Sequence, residues 1–131
     1  MIYLLDVKAL VALGFMNHEF HDRLAAWVKS LNSAGLASCS ITELGFVRVL
    51  AQAPAYEFTV AQSRSLLLGL KKTRISSFTF LADVHDVSYL PAWVETPKQI
   101  TDGHLIKLAS ANSAVLATLD ASTPGSFLIP K

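Results

Sequence analysis

Cysteine is nearly absent from this chain of 131 residues. The one thiol, Cys39, cannot form an intramolecular disulfide, which excludes a disulfide scaffold and fits a reducing cytoplasm. It lies in the apolar run LASCS and reads as a small buried hydrophobe. Charge of one sign is missing as well. Eleven Lys and Arg against ten Asp and Glu leave a formal net charge of +1, so no global field steers the molecule toward nucleic acid, and any such contact must use a local patch. Charged residues make up only 16% against 52% hydrophobic, which implies thoroughly buried strands or an apolar face kept for a partner, with a homodimer as the simplest case. No apolar run is long enough to span a bilayer: Asp6 and Lys8 interrupt MIYLLDVKALVALGFM short of the ~18 residues required. No charged segment precedes that stretch as in a signal peptide, so it is read as a first strand and helix, with no membrane role. Internal repeats and low-complexity tracts are lacking too, and one domain over 1–131 is expected.

What remains is an alternation of strands and helices. IYLLD is an apolar run of the kind buried on both faces of a sheet, and VKALVALGF suits a short helix. From His18 to Ser33, apolar residues at Phe20, Leu24, Trp27, Val28 and Leu31 follow helical spacing, with Asn17 as the expected N-cap and Gly35 as the stop. LASCS reads as a second strand, and TELGFVRVLAQ as a helix ending before Pro54. Thr59 caps a helix with Leu66, Leu67 and Leu70 inward, SSFTFLA forms a third strand, and the Pro-containing region 83–99 is mostly loop. Thr101 is expected to cap DGHLIKLASAN, SAVLATLD returns as a strand, and SFLIP adds an edge. Such a chain builds a mostly parallel sheet covered on both faces.

Functional groups in such sheets gather at the carboxyl ends of the strands. Four of the ten acids fall there: Asp6 ends the first strand, Glu43 opens the helix after the second, Asp102 lies in the first turn of a later helix, and Asp120 ends VLATLD. Each has a local explanation. Ser40 and Glu43 fit the S-x-x-E capping box, Asp102 suits a helix first turn, and Asp6 and Asp120 suit turns. Together, carboxylates converging at short range raise one another's pKa unless a cation neutralises them. Hard oxygen donors without an accompanying cysteine or histidine set favour Mg²⁺ or Mn²⁺ over zinc.

The segments LLDVKALVAL, ITELGFVRVL, TDGHLIKLA and LATLD, in this order over nearly the whole chain, resemble the signature segments of PIN-domain ribonucleases, in particular VapC-like toxins of toxin-antitoxin systems. The resemblance implies a PIN-like three-layer α/β/α sandwich with a mostly parallel central sheet. It implies a catalytic metal site formed by Asp6, Glu43, Asp102 and Asp120 with Thr118 near it, and cleavage of structured cellular RNA such as tRNA or rRNA. It also implies a homodimer and a VapB-like antitoxin whose tail covers the site. Asp6 is followed by Val7 and Lys8, whereas the family usually has asparagine two residues beyond that acid. An ammonium at this position either pairs with Asp6 or Asp102 and weakens metal binding, or points away, or holds a substrate phosphate.

Other residues carry weaker expectations. His104, two residues past Asp102, is placed in a supporting or solvent position, and His18 and His21 on a solvated helix face. His85 and Asp86 fall in a loop without an assignable partner. Arg23, Arg48, Lys71, Lys72 and Arg74 are candidates for a phosphate-binding rim, although Lys71 and Lys72 also suit a helix end. A receiver-like phosphoacceptor domain would need an adjacent acidic pair at the first strand, and a dehalogenase-like phosphatase D-x-D; the chain has Asp6, Val7 and Lys8. A PIN-like module that binds RNA or antitoxin without cutting is the remaining alternative, with Lys8 as its encouragement.

Overall fold

The computed structural model describes residues 1–32, 34–73 and 77–131. Five strands, β1 (Ile2–Leu5), β2 (Gly35–Cys39), β3 (Phe78–Leu81), β4 (Ala114–Thr118) and β5 (Phe127–Leu128), form one sheet in the order β3-β2-β1-β4-β5. Every pairing is parallel, with Leu4 opposite both Ala37 and Leu116. Five helices cover it: α1 (Val7–Gly14), α2 (His21–Ser30), α3 (Ser40–Gln52), α4 (Val60–Lys71) and α5 (Ile100–Ala111). Among the described residues no helix is long and apolar enough to cross a membrane.

Alternation along each strand divides the core. Leu5, Leu36 and Ala117 turn toward α1–α4, where Leu10, Leu24 and Phe46 are fully buried. Leu4, Ala37, Cys39 and Leu116 turn the other way, onto Leu105 and Leu108 of α5. Cys39 is buried and free, as its apolar surroundings require. Each fully buried Leu or Phe contributes roughly 1.5–3 kcal/mol relative to exposure, so both faces have strong reason to stay closed.

Several local expectations need correction. α3 begins at Ser40 with Cys39 as N-cap, and the Cys39 N–H donates to the Thr42 hydroxyl at 3.0 Å, so the capping box is one residue earlier than Ser40 and Glu43. Asn17 does not cap α2, which starts at His21 after Phe20 without a side-chain cap. Thr101 lies inside α5; the start of that run is a 3₁₀ turn (Pro97–Gln99) whose capping box joins Thr96 and Gln99. Gly35 is the first residue of β2, and α2 stops at Ser30. Thr59 does cap α4, with Gln62 N–H donating to its hydroxyl at 3.0 Å. Ser33, Arg74 and Ser76, named above as a helix end, a rim cation and part of a strand, lie outside the described residues.

Candidate active site

β2 and β3 extend the sheet to one side of β1, β4 and β5 to the other, so the strand order reverses between β1 and β4. The crevice beyond the carboxyl ends of strands at such a reversal is where open parallel sheets place ligands. Asp6 stands at that point on β1. Its backbone N–H bonds to Ala117 of β4 at 3.2 Å, and its Oδ1 caps α1 by accepting from Ala9 N–H at 2.8 Å. Thr118, the buried last residue of β4, accepts from Asp120 N–H at 3.0 Å. α5 runs back against the sheet and delivers its first turn, with Asp102, to the same edge; Asp102 Oδ2 accepts from the buried Thr123 hydroxyl at 3.4 Å.

These three acids influence one another. Burial pushes the Asp6 carboxyl above the ordinary aspartate value and the Asp102 charge pushes the same way, outweighing the Thr118 hydroxyl, the Ala9 N–H and the Lys8 ammonium. Burial likewise raises Asp102, helped by the charge of Asp120 and opposed by the Thr123 hydroxyl. Asp120 goes the other way: the backbone N–H and hydroxyl of Ser122, at 2.9 and 2.8 Å, hold it low, and Lys8 adds to this. Two desolvated carboxyls next to an ionised third form a site short of positive charge.

Glu43 is held apart from them. Its Oε2 accepts from the buried Ser38 hydroxyl at 2.6 Å and from the Lys71 ammonium at 2.6 Å, while the charges acting on Asp6 come from Asp102 and Lys8. Lys71, read from sequence as a helix end or rim cation, is thus a partner of Glu43, also lying 5.5 Å from the Phe80 ring centre. Nothing in the sequence signals this contact across 28 positions. Lys8 is exposed, with its ammonium 5.0 Å from the Phe20 ring centre, close enough for its charge to reach Asp6 and Asp120. Among the described residues it forms no ion pair with Asp6 or Asp102.

His104 is turned away from Asp102 and bonds Asp83 beyond β3. His85, without a partner in the sequence reading, faces the same carboxylate at 3.5 Å and packs edge-on against Tyr89, while Asp86 caps the 3₁₀ turn Val87–Tyr89. His21 is not simply solvated, since its Nδ1 lies 2.8 Å from the Ala12 carbonyl. Arg23 is no free rim cation either: its guanidinium donates to the Ile129 and Pro130 carbonyls and fastens the C-terminal segment. Arg48 and Lys72 remain exposed.

Among the described residues, no three histidine, cysteine, aspartate or glutamate side chains stand close enough to cage an ion unaided. The donors nevertheless fit Mg²⁺, which is held by one or two carboxylates and completes its shell with water and phosphate oxygens. Asp6 and Asp102 are the carboxylates whose desolvation such a cation would relieve.

No family model matches the chain. It is 37% identical over 123 residues to Ribonuclease VapC44 of Mycobacterium tuberculosis, covering 91% of this chain and 86% of that one. Ribonuclease VapC38 of the same organism is 37% identical over 123 residues (90% and 84% covered), and Ribonuclease VapC39 is 31% identical over 128 residues (93% and 91%). Among solved structures, VapBC2 from Rickettsia felis, bound to a DNA fragment from their promoter, superposes with a TM-score of 0.61 at 17% identity, covering 98% of this chain and 97% of that one. That likeness is one of fold.

Proposed function

Since the chain belongs to the VapC family of PIN-domain ribonucleases, we propose that it is a divalent-metal-dependent endoribonuclease acting on structured cellular RNA as the toxin of a toxin-antitoxin pair. What supports this reading is the placement of Asp6, Asp102 and Asp120 at the carboxyl edge of the β1/β4 reversal, where burial and neighbouring acid charge raise the carboxyls of Asp6 and Asp102. The name VapBC2 of the Rickettsia neighbour supports a VapB-like antitoxin as partner, and the apolar excess supports a homodimer.

Asp6 and Asp102 would hold Mg²⁺ or Mn²⁺, with Asp120 beside them. Held there, such an ion would supply Lewis acidity toward a water and toward the departing oxygen of the phosphodiester. The remaining work belongs to the chain. The Ala9 N–H and Thr118 hydroxyl aim Asp6, and the Thr123 hydroxyl aims Asp102. Asp120, kept ionised by Ser122, orients the attacking water through its carboxylate. Glu43, whose Oε2 is taken by Ser38 and Lys71, would act as general base, a role usually worth about 10²–10⁴ in rate, only once its carboxylate leaves that pair. The Lys8 ammonium lies where it can meet a phosphate as a point charge.

Cleavage of total cellular RNA by the purified chain with Mg²⁺ or Mn²⁺ tests the proposal, with Asp102→Asn and EDTA as controls and the new ends mapped by sequencing. Discrete ends that need both the metal and Asp102 are expected. The engagement of Glu43 by Lys71 favours one second reading, a module that binds RNA or antitoxin without cutting. Absence of cutting with every divalent metal, in protein free of antitoxin, would establish that reading instead.

A further inference from the structure

Building on the metal-site reading, we infer that Lys71 is an internal counter-ion for Glu43, holding that carboxylate off the acid cluster until a divalent cation takes its place. The contact is close and sheltered: Nζ to Oε2 is 2.6 Å, and the two side chains are 23% and 21% exposed. Lys71 is the last residue of α4, where a cation is favoured by the helix carbonyls, and Glu43 is in the first turn of α3, where an anion is favoured by free N–H groups. Ser38 is the pivot. Its hydroxyl, buried under α3 on the same sheet face as Phe80, donates to the same Oε2 at 2.6 Å. Glu43 therefore has two bonds pulling it toward β2 and β3, on the far side of β1 from the β1/β4 crevice.

The geometry also provides for release. A freed Lys71 ammonium stays near the half-exposed Phe80 ring, a favourable resting place for a cation. Glu43 then becomes a further hard oxygen donor for an ion already bound by Asp6 and Asp102. Binding and unlocking are reciprocal: whatever the ion loses in opening the Lys71 pair, the pair loses when the ion binds. Lys71 is thus a positioning residue that sets divalent-ion affinity, and it touches neither the ion nor the RNA.

Calorimetric titration of the purified full chain with Mn²⁺ tests this directly. Lys71→Met keeps a flexible unbranched side chain and removes the charge, so Mn²⁺ should bind about three- to tenfold more tightly, the strength of a partly sheltered ion pair. Lys71→Arg offers a forked, always charged partner and should bind Mn²⁺ more weakly than the wild type. In the unmutated protein, amine acetylation read by mass spectrometry should speed up at Lys71 as Mg²⁺ is added and stay constant at exposed Lys72. Weaker Mn²⁺ binding by Lys71→Met with normal binding by Lys71→Arg would make Lys71 a brace and overturn the proposal. So would unchanged affinities in both variants with unchanged acetylation, and if Asp102→Asn still abolished binding, the metal site itself would stand. Failure of the wild type and both variants to bind Mn²⁺ would overturn the counter-ion and the metal site together.

Discussion

Asp6 combines two duties that conflict. As the N-cap of α1 it stabilises the helix, and as a desolvated carboxyl it works against the fold whenever it is ionised. The sign follows from linkage. Its folded pKa lies above the ordinary 3.8, so the folded protein binds this proton more tightly than the unfolded one. Stability therefore falls as pH rises from 3.8 through the folded value, and stays lower above it. Asparagine caps as well as aspartate and carries no charge. In metal-free buffer at pH 7, Asp6→Asn should melt about 2–4 °C above the wild type, as expected for a change on the order of 1 kcal/mol in a domain of this size. The gap should close toward pH 4 in thermal scans, and Mg²⁺ should narrow it at pH 7 by stabilising only the wild type. A lower melting temperature for Asp6→Asn at pH 7 would mean that the charge is better solvated than its burial implies.

Between elements, the separation of the acids depends on how α1 and α3 cross. Gly45 lies at that crossing: a Cβ there would come within 2.5 Å of Val7 Cγ2 and 3.1 Å of Cγ1. Val7 is β-branched and has few rotamers to escape into, and it immediately follows Asp6. Gly45→Ala should therefore wedge the two helices apart, cost about 1–3 kcal/mol in denaturant unfolding, and reduce RNA cleavage more than the stability loss alone explains. Retention of full cleavage by the folded variant would separate α1 placement from the chemistry. At the same scale, the strands and helices are legible in the sequence because their signals are local: apolar runs of four or five residues, Thr59 as a cap, Pro54 after α3. The cap positions of α2, α3 and α5 are not, because packing against the sheet decides which of several adjacent polar residues ends outside the helix.

Over the whole molecule, the four helices on one sheet face leave an apolar surface of their own. Leu44, Val60 and Leu68 are 64%, 54% and 48% exposed around a groove of about 310 Å³ between α3 and α4, with Arg48 and Arg64 at its sides. Part of the apolar excess that composition implies lies here, and a second copy of the chain is the occupant proposed for it. Leu68→Glu should convert the proposed dimer to a monomer in sedimentation experiments while leaving the melting temperature of the separated chain within a degree or two. A dimer that survives this change has its interface elsewhere.

By itself the sequence determined the layered α/β plan and the candidates Asp6, Asp102 and Asp120, because period, strand length and the position of an acid after an apolar run or in a helix first turn are all local properties of the chain. Tertiary structure alone decided which groups hold Glu43, which the sequence offered as a cap or as a fourth member of the acid cluster. Folding brings α4 against α3 and places Lys71, 28 residues away, on its Oε2. It likewise turns His104 toward Asp83 and fastens Arg23 to the C-terminal carbonyls. The reason is physical: a long flexible side chain goes to the nearest opposite charge or buried acceptor, and which group is nearest depends on how the helices pack.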